Sequence, residues 1–352
     1  MFLALACSPP AVRVAAVEDV GVLETTSAVK ARDGGYSGTI QGRSVWVYGD
    51  TILSVTGEDG SAWRNNSWSW TTDFGFPQTF SEPVDALGAP YELLPQTDEE
   101  AAYNADHRDD GSGNCEDPCG AREALWPADV VETDAGTLVF YGKIHGEPGA
   151  WNFYGLGNGV AVWNDFTTGP TRPESNIVDG EPTLLFGPDD PGFGTAVALS
   201  DGLLYAWGSR DESGGKQMRL GRVAPASVND RSAWSFWDGT GWNADLATAA
   251  TTFIGSSQMK ISFDADLDTW LAVYKDEPWN ELVYRTAAAP EGPWSNEAHL
   301  ADALAPDGDG WAYCGIDHPE YRHDGVHLVS YYRSTGDWTG EIRLVQVTFE
   351  RR

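Results

Sequence analysis

Five short, strongly apolar segments recur along the chain, and this recurrence constrains the fold more than any other feature. They read VWVYGD at 45–50, LVFYGK at 138–143, LYAWGS at 204–209, WLAVYK at 270–275 and LVSYYR at 328–333. Their starts are 93, 66, 66 and 58 residues apart. Short apolar runs rich in β-branched and aromatic residues, bounded by turn residues, read as strands buried on both faces. A candidate strand and a turn carrying Asp or Gly precede each of them: GYSGTIQ, WPADVVE, GTAVALS, MKISFDA and DHPEYRH. Third strands follow in most units, at GVAVW, QMRLGRV, LVYRTA and IRLVQVTF. Sheets repeating at this interval bury their faces against one another around an axis, so the expected fold is all-β, a five-bladed β-propeller. A pair of sandwiches would not explain the recurrence. The 16 Trp, 13 Tyr and 13 Phe, with 40 Gly and 20 Pro, suit short strands and tight turns. Helical periodicity is confined to LLPQTDEEAAYNA at 93–105.

The expected division is an export-signal remnant and linker at 1–20, then one propeller domain at 21–352 with a loop-rich insertion at about 75–120. MFLALAC followed by SPP looks like the tail of a lipoprotein signal, which would put a lipid anchor on Cys7. The protein is then expected to be secreted or a bacterial surface lipoprotein; an ordinary apolar N-terminus is the alternative. Cys115 and Cys119 in NCEDPCG could close a small disulfide loop in an exported protein. A zinc site would need two further ligands, and only His107 is close in sequence. No run of about 18 apolar residues occurs, so no membrane-spanning helix is expected.

The balance of 22 Lys+Arg against 53 Asp+Glu gives a net charge of −31. Such a field repels nucleic acid and anionic membranes and leaves a neutral or cationic ligand as the expected partner, with the protein itself a monomer. The acidic loops DHRDDGSGNCED, FDADLDTW and APDGDGW invite a calcium reading, because hard oxygen ligands cluster there. None has the spacing of an EF-hand, solvated acidic surface is the preferred account, and no cofactor or metal is assigned. GLGNGV at 155–160 lacks the third glycine and following helix of a phosphate loop. Neither a Gly-x-Ser-x-Gly elbow nor a His-Glu-x-x-His pair is present, so serine and zinc hydrolysis have no support.

Asp33 and Asp50 bracket the first hairpin. The ends of two antiparallel strands joined by a short turn lie side by side, roughly 5–10 Å apart. That spans the separations used by paired carboxyl groups in glycoside hydrolysis. Two close carboxylates also push their pKa values apart, leaving one protonated as an acid. RDGG and YGDT are equally good turn sequences, in which Asp bonds backbone N–H groups. The second-strand ends of the other blades carry Lys143, Arg210, Lys275 and Arg333, which suggests a cationic ring beside Asp50.

The block RDGGYSG…GRSVWVYGDT followed by RNNSWSWTTD resembles the opening of domain-of-unknown-function family 4185, part of which is grouped with the endo-D-arabinanases of glycoside hydrolase family 183. Asp33, Gly34, Ser37, Trp46, Gly49, Asp50 and Thr51 match its first block, and Arg64, Asn66 and Ser67 its next strand. WPADVV and IDHPEY look like later blade starts; beyond the first 75 residues the match is loose. The resemblance implies a five-bladed propeller that cleaves an arabinan-like, furanoside-rich polysaccharide from within, with Asp33 and Asp50 as the catalytic acid and the base or nucleophile. Among neighbouring residues, Arg64 and Asn66 could hydrogen-bond sugar hydroxyls and Trp126 could stack on a sugar ring. Asp129 and Glu320 are alternatives for either catalytic role or could bind sugar, His318 could line the channel and contact sugar, and each also has a purely structural reading. A non-catalytic carbohydrate-binding or scaffold propeller is the alternative.

Overall fold

The recurrent apolar segments are the second strands of five antiparallel sheets set around one axis, a five-bladed β-propeller. The computed structural model describes residues 12–75, 79–109, 111–149, 151–276 and 279–351; Cys7, the expected lipid anchor, lies outside them. After an initial strand β1 (Val12–Val22), blade 1 comprises β2 (Val29–Ile40), β3 (Arg43–Leu53) and two outer pieces, β4 (Trp63–Arg64) and β5 (Ser67–Thr71). The insertion carries the helix α1 (Asp98–Asp106). Blade 2 is β6 (Arg122–Thr133), β7 (Gly136–Gly146) and β8 (Phe153–Trp163). Blade 3 is β9 (Gly192–Ser200), β10 (Leu203–Glu212), β11 (Gly215–Val223), β12 (Ser235–Trp237), β13 (Trp242–Asn243) and β14 (Thr251–Gly255). Blade 4 is β15 (Met259–Asp264), β16 (Thr269–Asp276), β17 (Glu281–Ala287) and β18 (Ala298–Asp302). Blade 5 is β19 (Ala312–Asp317), β20 (Val326–Gly336) and β21 (Thr339–Arg351), with β1 on its outer edge.

The inner strands touch in the closed order β2, β6, β9, β15, β19 and back to β2. Each second strand is packed between neighbouring blades, so Val45–Tyr48, Leu138–Tyr141, Leu204–Trp207 and Trp270–Tyr274 are buried without alternation. That is why they read as continuous apolar runs.

Two expectations are corrected. Residues 12–20 are not a linker: they belong to β1, which pairs with β21 from Val12 opposite Arg351 to Val22 opposite Arg343. Both ends of the described chain thus meet in one sheet, and this closes the circle. The inner strand of blade 5 is β19, not DHPEYRH. Pro319 has no N–H for a ladder, and Pro319–Tyr321 form a 3₁₀ turn after the strand.

The channel is filled at mid-height. Tyr36 of blade 1 donates its hydroxyl to the Thr195 carbonyl of blade 3 at 3.0 Å and accepts from the Met259 N–H of blade 4. Lys260 of blade 4 reaches Asp129 of blade 2 at 2.5 Å and the Ser37 carbonyl of blade 1 at 3.1 Å. These bonds tie the inner strands of blades 1 to 4 together across the axis.

The insertion is held by buried polar contacts. Asn66 accepts from the N–H groups of Leu93 and Leu94 and donates to the Leu125 carbonyl. Thr97 and Glu100 form a capping box on α1. Cys115 and Cys119 are joined in a disulfide.

Candidate active site

The mouth lies where the inner strands begin and the second strands end. Here β3 is bulged relative to β2: Arg32 pairs with Thr51 and Gly34 with Tyr48, so Asp33 faces both Gly49 and Asp50. A bulge re-aims side chains at the edge of a sheet. Gly34 and Gly35 take positive φ values of 83° and 92°, which let the backbone turn there without a Cβ clash. The two carboxylates are thereby presented together, each partly exposed.

Asp50 accepts three hydrogen bonds. The indole N–H groups of Trp63 and Trp126 reach its Oδ1 at 3.1 and 3.2 Å, and Arg122 reaches its Oδ2 at 2.9 Å. The Arg122 guanidinium also lies 4.4 Å above the Trp63 ring. Burial pushes the Asp50 pKa up, and the Arg122 charge and these donors oppose the shift. Asp33 accepts a single side-chain bond, from the Tyr313 hydroxyl at 2.7 Å. Burial first, and then the charge of Asp50, push its pKa up to about 7. One carboxyl is therefore poised to hold a proton near neutrality beside another braced by a cation and two indoles. That is the division of labour an acid–base pair needs.

Of the expected sugar-binding residues, Trp126 stands at this site; the structure places the others elsewhere. Arg64 is buried and directed at the Pro90 carbonyl and Asp59, and Asn66 is consumed by the insertion. Asp129 is fully buried, holding Lys260 and the N–H groups of Val130 and Val197. His318 is sealed between Ser37 and Ser330 at 2.6 and 2.8 Å and stacks 4.0 Å from Trp46. Burial pushes its pKa down to about 3, so the ring is neutral. Glu320 accepts from Ser44, past the end of β19. Arg64, Asn66, Asp129 and His318 serve packing and internal bonding through polar atoms engaged inside the protein, and Glu320 is bonded through Oε1 to Ser44.

The cationic ring is not formed either. Lys143 is buried among Glu100, Glu123 and Glu181 at 3.1, 2.8 and 2.6 Å, and Arg333 pairs with Glu341 at 2.7 Å. Among the described residues, the one group of three candidate metal ligands is Asp109 with Cys115 and Cys119, whose sulfurs are bonded to each other.

Arg122 and Tyr313 were missed in the sequence. Arg122 lies four residues before Trp126 on the same face of β6, a signal that becomes readable only once Trp126 is known to face the mouth. Tyr313 comes from the opposite end of the chain.

Fold and site together define a five-bladed propeller with a pair of adjacent carboxylates, Asp33 and Asp50, at one end of its axis. The chain matches the family described as "Domain of unknown function (DUF4185)" over residues 23–335 and belongs to it. A curated relative, Notoamide biosynthesis cluster protein J' of Aspergillus versicolor, is 24% identical over 246 residues. The match takes in 67% of this chain, and the chain spans 63% of that relative's length. The fold is shared with Zg3597, a family 117 glycoside hydrolase of Zobellia galactanivorans, at a TM-score of 0.55 and 10% identity, covering 96% of this chain and 90% of that one. It is also shared with a GH43_1 enzyme of Xanthomonas citri, at a TM-score of 0.51 and 12% identity, covering 93% and 89% of the two chains.

Proposed function

We propose that the protein is a glycoside hydrolase, with Asp33 as the general acid and Asp50 as the base or nucleophile. The observation that carries this reading is the asymmetry of the pair: Asp33 is raised to about 7 beside an Asp50 held by Arg122, Trp63 and Trp126. Asp33 delivers its proton to the glycosidic oxygen as the C–O bond breaks. Asp50 takes a proton from the attacking water or bonds to the sugar carbon itself. Glycoside hydrolases built on the same fold support the reaction class. The substrate we assign is an arabinan-like, furanoside-rich polysaccharide cut internally, in keeping with the resemblance of the first-blade block to endo-D-arabinanases. The Cys115–Cys119 disulfide is in keeping with an exported enzyme acting on polymer outside the cell.

The name of the fungal relative points to natural-product biosynthesis, so family membership alone does not fix the chemistry; the carboxylate pair does that work in this reading. The second reading, a non-catalytic carbohydrate-binding propeller, keeps the same mouth without turnover. Reducing-sugar release with product sizing, from mycobacterial arabinogalactan and from plant L-arabinan, separates the two. Short D-arabinan fragments are the expected products. Silence on both polymers from folded protein would move the assignment to another glycan or to the binding module.

A further inference from the structure

Among the described residues, four tryptophans keep more than half of their surface in solvent: Trp151, Trp279, Trp311 and Trp338, at 60, 65, 55 and 68%. All four stand at the mouth end of the propeller. Trp151, Trp279 and Trp338 occupy the hairpins β7–β8, β16–β17 and β20–β21, and Trp311 immediately precedes β19. Exposed indoles gathered at one end mark a binding surface rather than packing.

Three of them continue outward from the groups that hold Asp50. On one arm, Trp63 meets Trp338 edge-on with ring centres 5.8 Å apart. On the other, Trp126 meets Phe153 at 5.3 Å, Phe153 meets Trp151 at 6.3 Å, and Trp151 meets Trp311 at 4.8 Å. Trp151 comes from blade 2, whereas Trp311 and Trp338 come from blade 5, so both neighbours of blade 1 contribute. Trp311 is anchored to Ser334 through its N–H and its carbonyl. Two residues further on, Tyr313 bonds Asp33.

We propose that these two aromatic arms are binding subsites for consecutive sugar units of a neutral polysaccharide, holding the chain on either side of the bond presented to Asp33 and Asp50. Flat indole faces suit the C–H faces of sugar rings. The net charge of −31 disfavours a polyanion. Continuity with the donors of Asp50 ties the arms to the reacting centre. The inference rests on the glycosidase reading and adds which residues recognise a chain. The arms therefore govern affinity for polymer.

The test is affinity electrophoresis of the full chain in gels containing D-arabinan, L-arabinan or xylan. Wild type is compared with Trp151→Ala, Trp311→Ala and Trp338→Ala, with Trp→Phe at each position, and with Trp279→Ala. Trp279 is equally exposed but has no ring contact with either arm among the described residues. In the gel that retards wild type, each arm variant is expected to weaken binding by about 2- to 10-fold. The Phe variants should recover part of the loss, and Trp279→Ala should match wild type. A matching rise in KM on polymer, with kcat held, would support the same conclusion. Retardation of wild type with no loss in the arm variants would overturn this inference and leave the glycosidase reading standing. No retardation by any of the three glycans would also overturn this inference, while reducing-sugar release remains the separate readout of the glycosidase reading.

Discussion

The carboxylate of Asp33 lies against the bare α-carbon of Gly49: a Cβ at that position would fall inside the van der Waals contact of Asp33 Oδ1. The bulge and the glycine, both in β3, are thus one device, which lets the acid settle beside Asp50. Gly49→Ala should push the Asp33 carboxyl aside while keeping the fold. A displacement of about 1 Å at a reacting group costs on the order of 100-fold in rate. The expected result is a kcat loss of that order, with an unchanged circular dichroism spectrum.

The hydroxyl of Tyr313 stabilises the ionised form of Asp33 by donating to it. With Asp33 as acid, the alkaline limb of the pH–activity profile should fall near 7 in the wild type. Removing the donor in Tyr313→Phe raises the proton affinity of Asp33 further, so that limb should move to higher pH. Arg122→Gln acts on the other group: without the cation the Asp50 pKa rises, and the acidic limb should move up. Profiles of kcat/KM for the three proteins check both shifts. These limbs report the pair as a unit.

Asp33 also leaves a signature in stability. Its pKa is raised in the folded state from an ordinary 3.8 to about 7, so over that window the folded protein holds a proton that the unfolded chain releases. Stability therefore falls as pH rises from about 4 to 7, and the penalty is complete above the upper value. Asparagine carries no such penalty. Asp33→Asn should raise Tm at pH 8 by at least a few degrees and change it little at pH 4, as measured by thermal melts at the two pH values.

Lys260 and Asp129 form a buried pair that no ligand needs to reach. Lys260→Met strands the Asp129 carboxylate in the plugged channel, and breaking such a pair costs about 3–5 kcal/mol. The expected outcome is a clear fall in Tm with KM unaltered in the protein that still folds. A selective change in KM would instead restore Asp129 to the binding surface.

The second strands were legible because residues buried on both faces leave an unbroken apolar run. The carboxylate pair was legible because one hairpin carries both members. β1 was not, since its largely exposed, half-alternating pattern acquires meaning only opposite β21, more than 300 residues away. Arg122 and Tyr313 were hidden for a related reason: their closeness to Asp50 and Asp33 depends on how blades 2 and 5 flank blade 1. Asp129, Asn66 and Arg64 illustrate a different limit. A polar residue bonded inside the protein and one offered to a sugar look alike in sequence, and burial alone distinguishes them.

The most direct test compares binding and turnover of Asp50→Asn on whichever polymer the wild type cleaves. Asn keeps the shape and can still accept from Trp63 and Trp126, but it cannot serve as a base or nucleophile. The account expects polymer affinity within a few-fold of wild type and turnover reduced by about 1,000-fold or more. Turnover within tenfold of wild type would contradict it and return Asp50 to the role of a turn residue.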